Sequence, residues 1–133
     1  MSAFTPWLRT IVSLPLGLVA IHIFHMAGSA LVPQAYGELT NDLVRWLALS
    51  LVVVAGILGS AVAGAVAGHR LKLHMFLFLL VMLAIDISVI TGDLASQPIW
   101  LKFLVIATLP LQVYIGGRLA MLTFRRDASA AAI

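Results

Sequence analysis

Residues 46–68 read WLALSLVVVAGILGSAVAGAVAG and hold no charged side chain. A helix needs roughly 20 mostly apolar residues to cross the hydrocarbon of a bilayer, so this stretch is long enough to span one. Three further segments share its character, at 11–32, 75–92 and 99–124. What lies between them is short, and no part outside them is large enough to build a core of its own. The expected fold is all-α: one transmembrane domain over 1–133, an integral membrane four-helix bundle, antiparallel and up-down, with short loops. The small Ala- and Ser-rich tail 127–133 is expected to fray.

Composition points the same way. Of the 133 residues, 62% are apolar and 10% charged, with a mean hydropathy of +1.12. A soluble domain is about half apolar and a quarter charged. This balance excludes an ordinary soluble enzyme, a disordered tail and a nucleic-acid-binding module. The net charge of +3 comes from basic residues that flank the apolar runs, which is a topology signal rather than a binding patch. There is no cysteine, so disulfides, thiolate nucleophiles and iron–sulfur ligation are ruled out.

The punctuation fits four crossings. Pro33, Gly37 and Asn41 mark a connection after the first segment, and Asp93, Ser96 and Pro98 one before the fourth. Trp7, Trp46 and Trp100 stand near segment ends, where indoles favour the headgroup layer. Arg9, Arg70, Lys72, Arg118, Arg125 and Arg126 belong to one side. Arg45 and Lys102 belong to the other, beside Glu38, Asp42 and Asp93. The positive-inside rule then places both termini and the 69–74 connection in the cytoplasm of an inner-membrane protein. Arg9, the apolar stretch and Ala27-Gly28-Ser29-Ala30 imitate a signal peptide, but the stretch is long for one and carries two histidines. It is read as a retained span.

Ionisable groups at membrane depth are expensive and are the first place to look for function. By helical rise, His22 falls near the midplane, and His25 and Asp86 lie slightly outward of it. Ser29 continues the stripe of His22 and His25. On the fourth segment Thr108 and Gln112 are four residues apart, with Gln112 near mid-depth and Gly116 next on that face. A carboxyl beside imidazoles would titrate as a unit and could hold or pass one proton. The competing expectation is that this polar set only fixes helix packing.

Other chemistry is poorly provided for. His22 and His25 share one helix and cannot straddle a haem, and His69 and His74 lie at the membrane edge. A His22–Met82 pair is the remaining axial combination. No cofactor is favoured, with haem or quinone entering only under a redox reading. No metal site is assigned, although His22, His25 and Asp86 are suitable ligand types. No phosphate-binding glycine loop, metalloprotease helix or nucleophile elbow occurs.

The plainest motif concerns packing. Gly56, Ser60, Gly64 and Gly68 recur every four residues, beside Ala55, Gly59, Ala63 and Ala67. Small residues at this spacing let helices approach closely in lipid, against a sister helix, a second copy or another subunit. The loop His69, Arg70, Lys72 and His74 suits anionic headgroups or a docking partner. The chain is therefore expected to be a small non-catalytic subunit of a membrane complex, or to self-associate. Its partners would be lipid, copies of itself or other membrane subunits, and not nucleic acid. The rival expectation is a proton-coupled transporter or channel, or a quinone- or haem-linked redox subunit.

Overall fold

The computed structural model describes residues 4–31, 42–68 and 71–130, with side chains at 8–9, 11–28, 42–68 and 71–122. Four helices fill these ranges: α1 (Phe4–Leu31), α2 (Asp42–Ala67), α3 (Leu71–Thr91) and α4 (Ile99–Ala130). Each contains a run apolar enough to cross a membrane, namely Ile11–Gly28, Asp42–Ala67, Leu71–Thr91 and Ile99–Leu122. The fold is an all-α four-helix membrane bundle. The helices are longer than the apolar runs read from sequence, because a helix continues past the hydrocarbon wherever its backbone bonds can still be made. Thus Arg9 lies inside α1, and His74 lies inside α3 rather than in a loop.

The connections show why so short a chain can turn sharply. Gly68 takes a φ of 66°, and its N–H donates to the Gly64 carbonyl at 3.2 Å. It closes α2 in the left-handed conformation that glycine adopts without steric cost. At the other end the turn 92–98 satisfies its own backbone. Gly92 N–H donates to Ser88 O at 3.0 Å, Leu94 N–H to Val89 O at 2.9 Å and Gln97 N–H to Leu94 O at 3.0 Å. The Pro98 carbonyl then receives Leu101 N–H at 3.1 Å, starting α4. Inside hydrocarbon such groups would need an internal partner, and these turns supply one at the helix ends.

Among the described residues α2 is the hub. It packs along α1 on one side and α4 on the other, while α3 rests against α4 and α2 and meets α1 over a short stretch. In lipid, burying one apolar side chain against another gains little over burying it in acyl chains. Close backbone approach has to hold the helices together. The α1–α2 crossing is made at Gly17 and Gly59. A methyl group added at Gly17 would stand 2.7 Å from both Ala63 Cβ and Phe78 Cε2, and 3.0 Å from the Gly59 carbonyl oxygen.

The core follows from these crossings. Ala63, Phe78, Met82, Leu109 and Val113 form its centre, with Leu14, Leu18 and Ile21 of α1 packed against it. A smaller cluster of Leu49, Leu101 and Val105 lies toward the 92–98 turn, reinforced by Ile90 and Leu94. Trp46 and Trp100 stack beside it with ring centroids 5.2 Å apart. The outer surface is apolar in the way lipid contact requires, with Ile11, Val19, Ile23 and Met26 of α1 all more than half exposed.

Candidate functional site

Most of the polar residues singled out from the sequence fall in three places. The first is the seam between α2 and α4, which run parallel in a constant register of 56 residues. Gly56 meets Gln112, Ser60 meets Gly116 and Gly64 meets Ala120. A methyl group at Gly56 would collide with Gln112 Oε1, one at Gly116 with Ser60 Oγ, and one at Gly64 would sit 2.8 Å from Ala120 Cβ. Ser60 Oγ shares its proton among the carbonyls of Gly56 (2.7 Å), Ile57 (3.0 Å) and, across the seam, Gln112 (3.1 Å). Gln112 Nε2 donates to Thr108 Oγ1 at 3.0 Å, and that hydroxyl donates in turn to Leu104 O at 2.8 Å. The row Gly56, Ser60 and Gly64 is thus taken up by a sister helix. Gly68 belongs to the same row in sequence but serves to end the helix.

The second place is the inner face of α3. Its buried residues are His74, Phe78, Met82 and Asp86, one every four positions. Polar side chains end this stripe and apolar ones fill its middle. Asp86 is 8% exposed and its Oδ2 is buried without a donor, as is Gln112 Oε1. The two orphan acceptors are not neighbours in depth. By helical rise Asp86 stands about 7 Å from the centre of its span toward Thr91, whereas Gln112 is about 2 Å past the centre of its own toward Leu122.

The third place is the outer surface of α1. His22 is exposed there and His25 half-buried. Met82, the one axial partner that the depths offered to His22, is inside the core. His22 is exposed and Asp86 buried, and among the described residues no three His, Asp or Glu side chains group closely enough to hold a metal. α1 touches α3 where Gly17 meets Phe78, and His22 sits beyond that point on an exposed face. The side chain of Ser29, and His69 and Arg70 entirely, lie outside the described residues.

Comparison with known protein families, with characterised proteins and with solved structures finds no match.

A groove of about 840 Å³ lies between α3 and α4. Its walls are apolar, and Lys72 and Arg118 stand at its rim. Lys72 is in the first turn of α3, and Arg118 is at the matching level of α4. By residue order alone Lys72 belongs to a basic connection and Arg118 marks topology. Nothing local pairs them, because the level at which α3 and α4 meet is set by Gly117, where an added methyl would stand 3.3 Å from Met75 Cγ. The doublet Gly116-Gly117 is the signal that was available: one glycine serves α2 and the other α3.

Proposed function

We propose that this chain is a small, non-catalytic subunit of a membrane assembly, joined to copies of itself or to other transmembrane subunits through the outer face of α1. One observation carries this. His22 is exposed on the bundle surface, about 4 Å from the centre of the Ile11–Gly28 span. Its immediate surroundings, Val19, Ile23 and Met26, are exposed apolar side chains. Ionisable groups at that depth almost always face a protein interior or a water-filled cavity, because hydrocarbon offers them no hydrogen bond. An imidazole both donates and accepts, so a polar group on a neighbouring helix would satisfy it. The face that sequence favoured for assembly, the small residues of α2, is covered by α1 and α4, and α1 takes its place.

The test is assembly in mild detergent. His22→Leu is expected to shift the cross-linked protein from a higher oligomer, or from a complex with co-purifying subunits, to the free chain, with the melting of the free chain unchanged. Unaltered assembly in that variant would sink the proposal. By the positive-inside rule the end bearing Arg9, Lys72 and Arg118 belongs in the cytoplasm, with the chain in the inner membrane. Single cysteines are a clean probe of this, because the sequence has none of its own.

A second reading draws on the two orphan acceptors, Asp86 Oδ2 and Gln112 Oε1. A proton, a water molecule or a polar ligand group would supply the missing donor. This supports a proton-linked transporter or channel, or a redox subunit handling quinone or haem. A pH-dependent activity abolished by Asp86→Asn at normal abundance would favour it.

A further inference from the structure

The groove between α3 and α4 joins an apolar trough to a basic rim. Lys72 and Arg118 are both exposed, and neither has an ion-pair partner among the described residues. Arg9 stands at the same end, its guanidinium next to Gly68. The acids whose side chains are described and exposed, Asp42 and Asp93, are at the opposite end of the bundle, so the described side chains around the rim carry a net positive charge.

We propose that this groove binds one anionic phospholipid, with its phosphate between Lys72 and Arg118 and an acyl chain lying over Met75, Leu79, Val113 and Tyr114 toward Pro110. The dimensions agree. From Arg118 to Pro110 the trough runs about 12 Å along α4, and from Lys72 to Leu79 about 10 Å along α3. Half of a 30 Å hydrocarbon core is about 15 Å, so the trough covers most of one leaflet. Its volume of about 840 Å³ falls in the usual range for a small-ligand site. Basic pockets between transmembrane helices are known to select anionic headgroups. The walls supply chain contact, the rim supplies charge selection, and neither depends on which face of the membrane the rim occupies. The site is on a different pair of helices from the α1 face, so it stands or falls separately from the assembly proposed there.

The experiment uses the full chain in mild detergent, with native mass spectrometry and thermal melting as readouts. Dioleoyl phosphatidylglycerol is expected to bind in preference to dioleoyl phosphatidylcholine and to raise the melting temperature more. Replacing two cations with Lys72→Gln and Arg118→Gln should lower affinity for phosphatidylglycerol by about tenfold to thirtyfold. Lys102→Gln, at the other end, should leave it unchanged. Equal binding of the two lipids by the unaltered protein overturns the proposal without recourse to any variant. So does full retention of the preference in the double variant. Stabilisation by inorganic phosphate, or by dihexanoyl phosphatidylglycerol, as strong as that by the dioleoyl lipid also overturns it, because the trough would then hold no chain.

Discussion

Ser60 Oγ lies 3.1 Å from the backbone carbonyl oxygen of Gln112 and donates to it across the α2–α4 seam. The same hydroxyl stays within reach of the Gly56 and Ile57 carbonyls on its own helix, so the interhelical bond is one of three options for a single proton. Interhelical hydrogen bonds in membranes average about 0.6 kcal/mol. Ser60→Ala is therefore expected to lower unfolding stability by under about 2 kcal/mol, measured by denaturation in mixed micelles. A larger loss would mean that the hydroxyl, rather than the smallness of the residue, holds the seam.

Smallness is the stronger requirement. Gly116→Leu pushes a side chain into Ser60 Oγ, the Ile57 carbonyl and the Ala61 amide, and two of these are rigid backbone. The expected result is loss of the folded bundle, seen as proteolytic sensitivity and low recovery. Gly28→Ala is the contrast: the added methyl meets only Leu51, at 2.9 Å from Cδ2, the far end of a flexible side chain, and should be tolerated. Similar behaviour of the two variants would refute the close-packed seam.

Asp86 has a buried oxygen with no donor, and placing an aspartate within a span costs about 2.5–3.5 kcal/mol at mid-helix. Asp86→Leu removes that cost and breaks no hydrogen bond of Oδ2. It should accumulate and melt at least as well as the unaltered protein. A clear drop in melting temperature would show that the carboxyl has a structural partner.

The stack of Trp46 on Trp100 joins the start of α2 to the start of α4. Nearby, Arg45 Nε donates to Gln97 Oε1 at 3.2 Å. An aromatic pair is worth about 0.5–1.5 kcal/mol beyond its buried area. Trp100→Ala and Trp46→Ala should each destabilise, and the double variant should fall short of their sum by about that amount. Strict additivity in this cycle would show that the rings do not interact.

Gly64→Leu bears on what the small-residue row is for. Gly64 faces Ala120 within the same chain, so the variant should destabilise the single chain rather than leave a folded monomer. Recovery of a well-folded monomer would return that row to an interface between chains.

Much of the architecture could be read from residue order alone. Four apolar runs of spanning length, separated by Pro, Gly and charge, leave no other way to satisfy backbone groups in hydrocarbon. Gly56, Ser60 and Gly64 lie where α2 meets α4, and Gln112 Nε2 donates to Thr108 Oγ1 four residues back. The exact ends were less legible, because hydropathy reports where lipid is, whereas a helix stops where its hydrogen bonds run out.

Residue order picks out candidate polar residues but not how they group. Helical rise and periodicity give each residue a depth and a direction on its own helix, and both are local quantities. How each helix is rotated about its axis is settled by contacts between segments far apart in the chain, here Gly17 against Phe78 and Gly116 against Ser60. Those contacts turn Asp86 inward and His22 outward, give the small residues of α2 to sister helices, and bring Lys72 and Arg118 to the rim of one groove.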